Sequence, residues 1–239
     1  YIINSSVTWA EKGPINVSTY VHEDFDVAEE RRRVAQSDSS LFNILSVIDL
    51  SKIFKSMFGK RVAVNNISFG VLRGECFGLL GVNGAGKTTL FKILTGQMKP
   101  SSGGAAINKK VSPNASIPNQ APLVGYCPQA DALDSVLTPK QHLSIYATMR
   151  GIPTVYRSRV INDSLNRFQL SQYSEMPVNA LSRGTKRKLC LAISMLGDPS
   201  IVLLDEPTSG MDPMSRRCLW HNIQTAIKER RSVLLTSHR

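Results

Sequence analysis

Gly81-Val-Asn-Gly84-Ala-Gly86-Lys87-Thr88-Thr89 fits the pattern G-x-x-x-x-G-K-[ST], the loop that wraps the phosphates of a nucleoside triphosphate. The chemistry accounts for the residue types. Several backbone N–H groups must converge on one polyphosphate, and side chains would obstruct so tight a loop, so glycine recurs. Lys87 is then expected to reach the β- and γ-phosphates, and the Thr88 hydroxyl to ligate Mg²⁺. A helix starting at about Lys87 would add the positive end of its dipole to the anion site. Just upstream, Glu75-Cys-Phe-Gly-Leu-Leu80 reads as a short buried strand, which supplies the strand–loop–helix context. The stretch predicts a nucleotide site on an α/β core.

Further along, Ile201-Val-Leu-Leu-Asp205-Glu206 is an aliphatic run ending in two acids. The carboxyl end of a buried strand is where α/β sheets hold ligands. Asp205 is placed there to hold Mg²⁺, directly or through water, and Glu206 to polarise an attacking water as a general base. Ser232–Thr236 is a second apolar strand, and fully apolar strands alternating with helices argue for a parallel sheet.

Elsewhere the pattern divides the chain. Ile44–Leu50 and Val62–Val71 alternate like half-buried strands, with a turn expected at Gly59-Lys60. Leu90–Leu94 continues a helix that Gly96 stops, and Pro100 to Pro122, rich in Ser, Gly, Pro and Asn, reads as irregular. Thr138-Pro139 reads as a helix N-cap with proline in the first turn, followed by Leu143, Tyr146 and Met149 on one face. Helical patterns over Val155–Phe168 and Lys186–Leu196 complete a mostly helical insertion over about residues 136–198. Residues 1–43 are polar and read as a linker, largely irregular, with one short helix around Val27–Val34.

Composition bounds the rest. An apolar fraction of 42% in 239 residues is enough for a sizeable core. The four cysteines lie far apart with no C-x-x-C pair, which argues against a metal site or a disulfide framework. No run of 18 apolar residues is present to span a bilayer. A first residue Tyr1, and a last strand Leu234-Leu-Thr-Ser-His-Arg239 that breaks off, suggest a piece of a longer polypeptide. The net charge of +11 invites nucleic acid or anionic headgroups as partners. However, Arg31–Arg33, Lys186–Lys188, Arg216-Arg217 and Lys228–Arg231 are short, scattered and not interleaved with aromatics. Each reads as a solvated helix face, and no nucleic-acid partner is expected.

Taken in order, the phosphate loop, Gln129 in Tyr126-Cys-Pro-Gln129, Leu181-Ser-Arg-Gly-Thr185, Leu203-Leu-Asp-Glu-Pro207, Ser209-Gly-Met-Asp212 and Thr236-Ser-His238 resemble the motif set of an ABC-type ATPase domain, over about residues 44–239. Gly74 to Lys87, Gly125-Tyr-Cys-Pro-Gln-Ala-Asp131 and Lys186-Arg-Lys-Leu189 look most like the A subfamily of lipid exporters, and like their second, C-terminal nucleotide-binding domain. The resemblance implies a P-loop core with a mainly parallel sheet, an N-terminal antiparallel β-subdomain and an inserted α-helical subdomain. It implies MgATP hydrolysis by in-line attack of water, with ATP held by Phe54, Gly81, Asn83, Gly84, Ala85, Gly86, Lys87, Thr88 and Thr89. Gln129 would contact Mg²⁺ and the attacking water, His238 would grip the γ-phosphate, and Asp212 would communicate across a dimer. Phe54 stands where the family stacks an aromatic on adenine; Phe58 is a rival, and either can be core.

The implied partners are a second nucleotide-binding domain, paired head-to-tail, and transmembrane domains on whose cytoplasmic face the cassette would sit, with lipid as the cargo. In the family the signature Leu-Ser-Gly-Gly-Gln meets the γ-phosphate held by the partner. Here Arg183 replaces its first glycine and Thr185 its glutamine, leaving Ser182 and Gly184 to contribute a hydroxyl and a backbone N–H in trans. Two other readings stay open: a regulatory module that binds ATP with little turnover, and a soluble ABC ATPase acting on nucleic acid or ribosomes.

Overall fold

The computed structural model describes residues 25–35, 43–57, 59–108 and 124–237. His238 and Phe58 lie outside them, as do residues 1–24, 36–42 and 109–123. Six α-helices and seven strands follow one another over the described residues. Helix α1 (Phe25–Ala35) precedes β1 (Asn43–Ser56), β2 (Gly59–Leu72) and β3 (Cys76–Leu80); then come α2 (Lys87–Leu94), β4 (Ser102–Ile107) and β5 (Val124–Cys127). Helices α3 (Pro139–Met149), α4 (Thr154–Arg167) and α5 (Arg183–Met195) form the helical region, followed by β6 (Ile201–Leu204), α6 (Pro213–Lys228) and β7 (Ser232–Ser237).

Two sheets carry the fold. One is antiparallel, in the order β2-β1-β4, and the other is parallel, in the order β3-β7-β6-β5. Because alternate strand residues face opposite sides, the apolar run of β6 and β7 serves two cores at once. Val202, Leu204, Val233 and Leu235 pack with Leu143, Leu165, Leu189 and Ile193 on the helical side. Ile201, Leu203 and Leu234 pack with Phe69, Phe77, Phe91 and Leu94 on the side of β1, β2 and α2. This is why neither strand shows a polar alternation: both faces are buried.

Several local expectations change. β3 is less buried than its apolar run predicts; among the described residues it pairs only with β7, and Cys76 and Leu80 are exposed. The hairpin between β1 and β2 turns before Gly59, which already belongs to the strand. Within the stretch expected to be irregular, Ser102–Ile107 is a strand pairing with β1. Its small residues read as loop, yet they are what the pairing needs: a Cβ on Gly103 would lie 2.1 Å from the carbonyl oxygen of Asp49. Met149 does not share the buried face of Leu143 and is 75% exposed. Finally, Lys186–Lys188 is not a solvated face throughout, because Arg187 is 2% exposed.

Helix α1 is tied to the antiparallel sheet. Arg31 pairs with Asp49 at 2.7 Å, the Glu30 carboxylate accepts from Gly70 N at 2.9 Å, and Arg33 donates to Gly70 O at 3.1 Å.

Candidate nucleotide site

The parallel strands deliver three elements to one end of the sheet: the loop after β3, the acids after β6 and Gln129 after β5. Helix α2 starts at Lys87, with Gly86 as its N-cap at φ 93°. A Cβ on Gly86 would sit 2.1 Å from the Ala63 carbonyl oxygen, so both the left-handed backbone and the close approach of β2 demand glycine. Unlike α3, α5 and α6, α2 has no side-chain cap, and no acid lies in its first turn. A helix N-terminus without a side-chain cap or an acid in its first turn suits an anion. Lys87 Nζ donates to the loop's own carbonyls, Gly81 O at 2.5 Å and Val82 O at 3.1 Å.

A cavity of about 270 Å³ is lined by Phe54, Arg61, Ala63, Asn83, Gly84, Gly86, Lys87, Thr88, Thr89, Gln129 and Glu206. It therefore brings together most of the residues singled out in the sequence, including Phe54, which is paired with Arg61 across the hairpin and carries Lys52 Nζ 5.4 Å from its ring centroid. Gly81, Ala85 and Asp205 are not among the lining residues.

Behind the cavity lies a polar cluster. Gln129 Nε2 donates to Glu206 Oε2 at 2.9 Å. Thr236 Oγ1 donates to Asp205 Oδ1 at 2.7 Å and accepts from Glu206 N at 2.9 Å. Asp205 is fully buried, and its Oδ2 has no hydrogen-bond partner among the described residues. A buried carboxylate oxygen left unsatisfied costs free energy unless something else occupies it, and a cation or its water shell fits that description. Glu206 has φ 47°, a left-handed conformation that costs a non-glycine residue about 1–2 kcal/mol. Burial, reinforced by the negative charge of Asp205, pushes the Tyr126 hydroxyl up to about 12, so it stays neutral beside the cluster.

Sequence reasoning quoted Thr236 but gave it no role. The clue was register. Leu204 pairs with Leu235, so Asp205 and Thr236 leave adjacent parallel strands side by side. Arg61 and Ala63 were missed as lining residues because an exposed hairpin position carries no motif.

The signature residues sit elsewhere and do not line the cavity. Ser182 is the N-cap of α5, accepting from Thr185 N at 3.2 Å, with its hydroxyl 2.9 Å from Thr185 Oγ1. Gly184 is buried against the next loop: a Cβ there would lie 2.9 Å from Asp212 Oδ2. Asp212 caps α6 through Ser215 N at 2.9 Å and Ser215 Oγ at 2.6 Å, and the Ser215 bonds hold its carboxyl below the usual range. Arg183 is exposed and lies against the bare backbone of Gly210, where a Cβ would meet its Nε at 2.5 Å.

A phosphate loop on a parallel sheet, a buried acid pair at a neighbouring strand end and an inserted helical region define an ABC-type ATPase domain. The family model for ABC transporters matches residues 64–209, and the chain belongs to that family. It is 46% identical over 223 residues to the human glucosylceramide transporter ABCA12, covering 93% of this chain and 9% of that protein. It is 47% identical over 219 residues to the human retinal-specific phospholipid-transporting ATPase ABCA4, covering 91% of this chain and 9% of the relative. The chain thus spans about a tenth of these relatives. Among solved structures, the ATP-binding subunit of an ABC transporter superposes with a TM-score of 0.71 at 27% identity, over 82% of this chain and 79% of that one. The ATP-binding cassette MJ0796, bound to ADP and Pi, gives 0.74 at 20% identity over 82% and 88%. No described helix is long and apolar enough to cross a membrane.

Proposed function

We propose that the chain binds and hydrolyses MgATP to drive a lipid transporter, acting as the second, C-terminal cassette and pairing head-to-tail with another. The observation that carries this reading is the 2.9 Å bond from Gln129 to Glu206 at the wall of the cavity that Lys87 and the loop glycines also line. The α2 N-terminus, the loop amides and Lys87 bind the phosphates, and Phe54 stacks on adenine at the mouth. Thr88 and Asp205, with Gln129 beside them, would hold Mg²⁺, and the orphaned Asp205 Oδ2 supports that assignment. When bound, the ion neutralises charge on the phosphates. Glu206 orients and deprotonates the attacking water, Gln129 fixes the Glu206 carboxylate, and His238 stabilises the transferring group. Ser182 and Gly184, with Arg183 between them, face the phosphates of the partner cassette, and Asp212 sits beside them at the same interface. The transmembrane domains, the cytoplasmic face and the lipid cargo rest on likeness to sub-family A relatives.

A second reading, ATP binding with little turnover in the composite site that uses this signature, is favoured by Arg183 lying over Gly210. Steady-state phosphate release from the full-length transporter in lipid vesicles separates the two. Lipid-stimulated turnover in wild type supports transport. An inactive wild type in which Arg183→Gly gains turnover supports the regulatory reading and removes the first.

A further inference from the structure

Arg187 is the one residue of the short basic cluster Lys186–Lys188 that is buried, and its guanidinium is held by backbone carbonyls and one carboxylate. Nη2 donates to Asp205 O at 2.8 Å and Glu206 O at 3.2 Å, and Nε donates to Pro207 O at 3.3 Å. Nη1 donates to Pro128 O, to Gln129 O at 3.4 Å and to Asp131 Oδ1 at 3.4 Å. One side chain thus holds three consecutive carbonyls of the loop after β6 and two of the loop after β5. Arg187 also lies on α5, one turn beyond the signature residues. A buried cation is stabilised only when such acceptors and a counter-charge surround it, and here Asp131 supplies the charge. The planar fork of arginine suits the arrangement, whereas a lysine has one point of donation.

We propose that Arg187 is a positioning residue for hydrolysis, which fixes Glu206 against Gln129 and transmits movement of the signature helix to that pair. The inference rests on the assignment of Glu206 as the group that activates water. Glu206 is held in a left-handed conformation between two grips: its N–H on Thr236 and its carbonyl on Arg187. Release of the second grip lets the backbone relax toward an ordinary conformation and draws the carboxylate away from Gln129 Nε2. Because the same guanidinium holds the Pro128 and Gln129 carbonyls, displacement of α5 moves both halves of the pair. Closure of the signature on a phosphate would then be felt at this chain's own catalytic carboxylate. Changing Arg187 leaves Lys87 and the phosphate loop, which it does not touch, to bind ATP, so binding and turnover should separate.

The test uses the full-length transporter in vesicles, with Arg187→Met, Arg187→Lys, Gln129→Ala, the Gln129→Ala/Arg187→Lys double variant and Glu206→Gln as a control. A misplacement of about 1 Å lowers turnover by about 10²-fold, so Arg187→Met is expected to lose kcat on that scale with KM for ATP within about two-fold of wild type. Arg187→Lys recovers only part of the loss. Its effect shrinks in the Gln129→Ala background, because both substitutions act on one pair. If Arg187→Met does not fold, Arg187→Lys and the double variant carry the test alone. Unchanged kcat in Arg187→Lys, or strictly additive losses in the double variant, would overturn the proposal. If Glu206→Gln turns over like wild type, the functional assignment itself fails; if Glu206→Gln is inactive and Arg187→Lys is normal, only the role of Arg187 fails.

Discussion

The N-terminal ends of helices α2 and α5, which we assign to the phosphates of this chain and of a partner cassette, are finished differently. At α2 no side chain caps the first turn, and Lys87, Thr88 and Gln129 converge on one cavity. At α5 the Ser182 hydroxyl caps its own helix and shares a contact with Thr185, while Arg183 at the first helical position folds over Gly210. The first end is left open for a ligand that the chain itself surrounds. The second is closed locally and exposed, so it acts only if something outside these residues meets it. The difference explains why altered signature residues leave the phosphate-loop site intact: none of them lines its cavity.

The largest effect that would break this contrast comes from Lys87. Lys87→Ala should weaken ATP binding by about 10²-fold in a titration with a fluorescent ATP analogue, since a charge-assisted contact to phosphate is lost. Affinity close to wild type would mean that the α2 end is not the phosphate site. Next in size is Thr236→Val, which leaves Asp205 Oδ1 and Glu206 N without their shared hydroxyl. Loss of these two hydrogen bonds in the buried cluster lowers stability by about 2–4 kcal/mol, or roughly 4–16 °C in melting temperature. At α5, Ser182→Ala removes the cap and the exposed contact with Thr185 Oγ1, and should cost about 1 kcal/mol, read from the denaturant midpoint. Equal losses for these two variants would erase the contrast between a buried cluster and an exposed cap.

The smallest effect concerns the thiols packed behind the site. Burial pushes Cys127 up to about 12 from 9.0, and Cys190 and Cys76 upward as well, but only Cys76 of the three is exposed, so it should alkylate in the native protein while Cys127 and Cys190 do not. Because the native state disfavours the thiolate, their contribution to stability is complete below pH 9.0 and is lost as pH rises toward about 12. Urea midpoints that stay level above pH 9.0 would contradict this.

Much of the α2 face was legible because its chemistry is local in sequence. Glycines at fixed offsets, a lysine and two threonines at a helix start, and two acids after an aliphatic run each announce themselves within ten residues. The antiparallel strand at Ser102–Ile107 was not legible, because Gly103, Gly104 and two alanines carry no β preference until the bulge of β1 at Asp49 lies against them. Arg187 was misread for a related reason. A run of three basic residues on a helix reads as solvated, and only the approach of two loops from distant strands shows that the middle one points inward. The Thr236 hydroxyl depended on strand register, which pattern alone does not fix.

The central claim is that Glu206 activates water at a site able to bind ATP without it. Single-turnover hydrolysis of bound ATP by the full-length transporter, compared between wild type and Glu206→Gln, tests this most directly. The account predicts unchanged ATP occupancy with hydrolysis slowed by about 10²–10⁴-fold, the scale of a lost general base. Hydrolysis by Glu206→Gln at the wild-type rate would contradict it.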